Sequence, residues 1–181
     1  MIMVYVFLAN GFEIVEAMAP VDVLKRAGIS TYTVSITDDK LVESSNGTKV
    51  YADMLIKDVD FSLGEMLVLP GGLPGADNLA ACKVLVDNLI NYNKDGKKVA
   101  AICAAPYVLG VNGILKGKKA TCYPGFEEKL LEAEYTGEKV VVSENVITSC
   151  GMGASTEFGL ELVKALAGEE VAKDIAKKIR F

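Results

Sequence analysis

The regular exchange of two kinds of apolar segment constrains this chain most. Runs of strand length, Met1 to Leu8, "TYTVSI", "EMLVLPGG" and "KVAAI", alternate with stretches whose apolar residues recur at helical spacing. One such stretch is Glu13 to Ala27, with Val15, Met18, Val21 and Leu24 on one side and a stop at Gly28. Pro20 is expected to bend it. Strand and helix in alternation imply an α/β fold: a mostly parallel central sheet with helices on both faces, whose sites form at the carboxyl ends of the strands.

The remaining segments fill in the same plan. "TKVYAD" and "KATCY" read as strands, and Asp77 to Asn93 reads as one helix. A helix is expected from Ala104, and another over "PGFEEKLLEAE", with proline near its start where the missing N–H costs least. "KVVVSENVITS" is a strand pair around a Glu-Asn turn. Two helices close the chain, Thr156 to Ala167 and, past Gly168, one carrying Val171, Ile175 and Ile179. With 181 residues and no linker, repeat or low-complexity tract, a single domain over residues 1–181 is expected.

Composition excludes several classes of function. No run approaches the roughly 20 apolar residues of a membrane helix, and the start has no basic flank of a signal peptide. A cytoplasmic protein without a membrane partner is expected. Cys82, Cys103, Cys122 and Cys150 are far apart and show no C-x-x-C spacing, so neither a disulfide framework nor a metal site is indicated. A net charge of -5 argues against a nucleic-acid partner. The chain has no histidine, which rules out a Cys-His-acid triad within it and with that protease or amidotransferase chemistry of the usual kind.

"KVAAICAAPYVL" puts Cys103 where a strand ends and a helix is expected to begin. A sharp strand-nucleophile-helix turn crowds the residues two before and two after it, and those here are Ala101 and Ala105. A helix starting at Ala104 would aim its dipole at the sulfur and lower the thiol pKa, making Cys103 a nucleophile. The alternative is a small buried apolar residue, as free cysteines often are. Glu13 and Glu16, in the segment after the first strand, reach the same crevice. Burial among Val15, Ala17 and Met18 would raise the Glu16 pKa and let it carry a proton, and the alternative is a pair of solvated glutamates at a helix start. In "LVLPGGLPGADNL", Gly71 and Gly72 let the main chain approach a ligand, and the N–H groups of Gly72 and Ala104 could form an oxyanion hole beside Cys103, or the segment is only a turn. "SCGMGAST" resembles a dinucleotide-binding turn only in part, lacking its third glycine, and no cofactor is expected.

Together "LANGFEIVEAMAPVDVLKRAGI", "VLPGGLPGADNL", "AAICAAPYVL" and "TSCGMGASTEFGLELVKAL" resemble the ThiJ/PfpI family, in its single-domain Parkinson-disease deglycase branch. The resemblance implies a flavodoxin-like three-layer sandwich, a homodimer and a reactive cysteine matching Cys103. It also implies a glutamate matching Glu16 that hydrogen-bonds the cysteine, a glycine-turn N–H matching Gly72, and a structural or interface arginine matching Arg26. Two positions depart from the family pattern: Tyr123 stands where a histidine is usual, and Cys150 where many relatives have arginine. Both are candidate pocket residues. The activities the resemblance implies are glutathione-independent glyoxalase, deglycation of amino acids and thiols, redox sensing and chaperone-like protection. Small carbonyl compounds and glycated amino acids or thiols are the implied partners.

Overall fold

The computed structural model describes residues 2–181. Strand β1 (Met3–Leu8) sends Val4, Val6 and Leu8 into one core and Tyr5 and Phe7 into the other. A strand covered on both faces needs such an unbroken apolar run. Helix α1 (Ile14–Arg26) runs through Pro20 as one element and leads to β2 (Ser30–Ser35), which pairs parallel to β1. The hairpin of β3 (Leu41–Glu43) and β4 (Lys49–Tyr51) lies outside the main sheet, and β5 (Met54–Leu55) forms that sheet's edge.

Strand β6 (Met66–Leu69) pairs with β1 on its other side and alternates between the two cores in the same way. Helices α2 (Gly75–Ala81) and α3 (Lys83–Lys94) follow, then β7 (Lys98–Ile102) and the short α4 (Pro106–Val111). Next come β8 (Lys119–Ala120) and β9 (Glu134–Tyr135), a small parallel pair, and the antiparallel pair β10 (Val140–Ser143) and β11 (Val146–Ser149). Helices α5 (Ser155–Ala167) and α6 (Glu169–Ile179) end the chain.

The seven-stranded sheet has the order β10-β11-β7-β6-β1-β2-β5, with only β10 antiparallel. Helices α1, α5 and α6 bury their apolar sides against one face and α2, α3 and α4 against the other. This is the flavodoxin-like three-layer arrangement. The chain leaves β1 towards β2 and later returns to β6 on the opposite side, so the strand order reverses at β1 and opens a crevice at the carboxyl ends there.

Four local expectations need correction. The single helix over residues 77–93 is two, because Cys82 takes an extended conformation, with φ -79° and ψ 93°, between them. The helix expected from Ala104 begins at Pro106, after a turn in which the Ala105 N–H donates to the Ile102 carbonyl. "KATCY" pairs as a strand only at Lys119 and Ala120, since the next N–H, of Thr121, donates to the Thr148 hydroxyl rather than to a neighbouring main chain. "PGFEEKLLEAE" keeps one 3-10 turn, Glu127–Lys129, because its end is drawn out to form β9 beside β8.

Candidate active site

Strands β11, β7, β6 and β1 lie side by side, and the segments leaving their carboxyl ends meet. Cys103 follows β7 with φ 66°, a left-handed conformation that a side-chain-bearing residue holds only when its surroundings enforce it. Two main-chain bonds do so. The Cys103 N–H donates to the Ser149 carbonyl at 2.8 Å, and its carbonyl accepts from the Tyr123 N–H at 2.7 Å. Ala101 and Ala105, both fully buried, leave room for the turn.

The sulfur, half-buried, has the main-chain N–H groups of Gly72 and Ala104 and the Glu16 carboxyl as its polar neighbours. Glu16 is 1 % exposed, and its Oε2 accepts the Gly71 N–H at 2.9 Å. The Met152 main chain also faces this carboxyl and favours its charged form. Only glycine fits at position 71, where a Cβ would lie 2.6 Å from Glu16 Oε2 and 2.7 Å from Cys103 Cβ. The next residue, Gly72, has φ +84° and abuts the main chain of Gly11 to Glu13. Glu13 is the N-cap of α1, its Oε2 accepting the Glu16 N–H at 2.7 Å.

Burial pushes the Glu16 carboxyl up from 4.5 to about 7, and the Glu13 charge adds to the shift against the lowering effect of the Cys103, Gly71 and Met152 hydrogen bonds. Burial also pushes the Cys103 thiol up to about 12, with the Glu16 charge and hydrogen bond next in importance. The expectation of a thiol depressed by a helix dipole is therefore corrected. The helix starts two residues late and has only six residues, and the sulfur faces a carboxyl instead of a cation. The pair releases one proton near neutral pH and keeps the second well above it. When that second proton sits on Glu16, the charge opposing thiolate formation is gone and the Gly72 and Ala104 N–H groups stabilise the sulfur anion.

A cavity of about 570 Å³ opens beside the sulfur, lined by residues that include Cys122, Tyr123, Tyr135, Cys150, Gly151 and Met152. At Gly151 a Cβ would stand 3.3 Å from the Tyr123 ring and 4.0 Å from Cys103 Sγ, so the cavity wall and the sulfur meet at this glycine. Among the described residues no group of three or more His, Cys, Asp or Glu side chains could hold a metal ion, and all four cysteines are free thiols. No helix there is long and apolar enough to cross a membrane.

The family model described as DJ-1/PfpI matches residues 3–165. The chain belongs to the DJ-1/PfpI family. Among curated relatives, Protein DJ-1 homolog B of Arabidopsis thaliana is 39% identical over 171 residues, covering 93% of this chain. The chain spans only 39% of that relative's length, and 44% of the length of the Arabidopsis homolog A. The glutathione-independent glyoxalase DJR-1.2 of Caenorhabditis elegans is 35% identical over 170 residues, covering 92% of this chain and 89% of its own. Oxidised DJ-1 of Toxoplasma gondii superposes with a TM-score of 0.96 at 35% identity, covering 100% of this chain and 99% of its own.

Within this DJ-1/PfpI framework, Cys103, Glu16, Gly71, Gly72 and Ala104 converge on one point. Tyr123 and Cys150 line the adjoining cavity, whereas Glu13 turns back to cap its helix and does not line it. Sequence reasoning missed Gly151, Met152 and Tyr135. Gly151 and Met152 lay in the partial glycine motif, where a strand end brings main-chain groups to the crevice. Tyr135 comes from a short strand outside the main sheet, and no local pattern marks it.

Proposed function

We propose that the protein is a cysteine-dependent enzyme of the stress response that acts on α-oxoaldehydes or their adducts without glutathione. One observation carries the reading: the Cys103 sulfur is in contact with the buried Glu16 carboxyl and with two main-chain N–H groups. Kinship with the glyoxalase of Caenorhabditis elegans supports it. In this reading the Cys103 thiolate adds to the aldehyde carbon, and the Gly72 and Ala104 N–H groups stabilise the resulting oxyanion. Glu16 gives its proton to that oxyanion and, now a carboxylate, takes the proton from the same carbon and returns it to the neighbouring keto carbon, while the hydroxyl proton passes to the keto oxygen, leaving a thioester and a hydroxyl. Water then hydrolyses the thioester and frees the thiol. One carbon is oxidised and its neighbour reduced, so no external electron acceptor takes part. Wild-type protein is expected to convert methylglyoxal to lactate, with at least about a hundredfold loss in Cys103→Ser and in Glu16→Gln. Equal turnover in all three would end the proposal.

A second reading rests on the raised Glu16 pKa: a protonated carboxyl against the sulfur can donate a hydrogen bond to a cysteine sulfinate. Cys103 is then a peroxide sensor rather than a catalyst. Intact mass after mild peroxide distinguishes this, two oxygens on Cys103 alone supporting it and oxidation spread over all four thiols opposing it. We take the working form to be a homodimer, a reading supported by Leu41 and Tyr51, apolar side chains exposed opposite one another on the β3–β4 hairpin.

A further inference from the structure

We infer that the α-oxoaldehyde taken up at Cys103 carries a large apolar group, best an aromatic ring, which the cavity between Tyr123, Tyr135 and Met152 receives. The inference rests on the reading of Cys103 as the nucleophile. It adds the chemical class of the substrate's side group.

Size is the first argument. The cavity holds about 570 Å³, within the range of about 300–1,000 Å³ typical of sites for drug-sized ligands. Methylglyoxal carries only a methyl group beyond its reacting carbonyls and would leave most of this space to water. The lining is the second argument. Tyr123, Tyr135 and Met152 are 51%, 41% and 55% exposed around one hollow. Large apolar side chains left bare around a single concavity mark a place where an apolar partner is covered. Two tyrosine rings and a thioether suit a flat aromatic group, through ring–ring and sulfur–ring contacts. The one charged side chain on the lining, Lys139, lies 3.9 Å from the carboxylate of Glu157 outside the cavity.

Position is the third argument. Gly151 belongs to the cavity wall, and a Cβ at that residue would touch both the Tyr123 ring and the Cys103 sulfur. An aldehyde carbon bonded to the sulfur therefore lies beside the Tyr123 wall of the cavity, where there is space for the attached group. The overall conversion of phenylglyoxal and water to mandelate is balanced in atoms and electrons, as it is for methylglyoxal and lactate.

The experiment compares kcat/KM for phenylglyoxal and methylglyoxal in wild type, Tyr135→Ala and Tyr123→Ala, together with calorimetric binding of mandelate and lactate. Both tyrosines are about half exposed, so their truncation leaves the core intact. The phenylglyoxal-to-methylglyoxal ratio is expected to fall at least about tenfold in Tyr135→Ala. Mandelate is expected to bind wild type at least about tenfold more tightly than lactate, with that margin lost in both variants. An unchanged ratio with methylglyoxal still turned over would overturn the inference and leave the enzymatic reading standing. Where neither aldehyde is turned over, the enzymatic reading fails, and the binding arm decides: mandelate held no better than lactate overturns the aromatic preference, and a margin abolished by Tyr135→Ala upholds it.

Discussion

Glu16 sits where a carboxylate is costly, 1 % exposed and beside a thiol, with its pKa raised from 4.5 to about 7. Folded protein thus binds this proton more tightly than the unfolded chain does. Below about pH 4.5 both states hold it, and as pH rises to about 7 the unfolded state releases it first, so stability falls by about 3 kcal/mol across that window. Glu16→Gln keeps the shape and removes the titration. Its Tm is expected to exceed that of wild type by roughly 5–10 °C at pH 8 and to match it near pH 4.5, as scanning calorimetry at the two values can test. An equal shift at both would mean that the substitution acts through packing instead. Alkylation of Cys103 belongs to the same scale. Its rate should show a step near pH 7 in wild type, as the pair loses its first proton, and that step should vanish in Glu16→Gln. The sequence marked Cys103 through the alanines flanking it, but whether the neighbouring group was a cation, a carboxyl or water depended on which loop faced the sulfur.

At the scale of elements, helices α1, α5 and α6 were legible because each repeats its apolar residues through three turns or more. The segment from Pro124 to Glu134 was misread because its apolar residues fit helical spacing only briefly, and tertiary contacts then decided its shape. Gly110 of α4 lies against the main chain of Lys129 and Leu130, and a Cβ there would overlap the Lys129 carbonyl. Alanine in place of glycine favours a helix by about 1 kcal/mol, whereas forcing a methyl group into close-packed main chain costs about 1–3 kcal/mol. Gly110→Ala is therefore expected to lower stability by up to about 2 kcal/mol, seen as a lower denaturant midpoint with an unchanged slope. A gain in stability would show that the loop yields freely. The break at Cys82 had no such signal, for cysteine neither stops a helix nor continues it strongly.

For the whole molecule, the reversal of strand order at β1 places the ends of β1, β6, β7 and β11 at one crevice, and the site follows from that topology. The two cores share one sheet, strand by strand, so neither can unfold alone. Far-ultraviolet circular dichroism and tyrosine fluorescence should report coincident denaturation. A homodimer further predicts sedimentation near twice the chain mass of 19.3 kDa, a Tm that rises with protein concentration, and dissociation in Tyr51→Arg. A monomer at every concentration would remove the dimer from the proposal.

The sequence by itself determined the alternation of strand and helix, the doubly covered parallel sheet, the absence of a histidine base and the place of Cys103 at a strand end. Those follow from periodicity and composition, which act over neighbours along the chain. Only the tertiary structure decided that Glu16 is buried against the sulfur, that Gly72 and Ala104 aim their N–H groups at it, and that Tyr123, Tyr135 and Met152 surround one cavity. Such contacts join residues as much as 136 positions apart, such as Glu16 and Met152. No local pattern encodes them, because their energy exists only once the sheet has set the register of the loops.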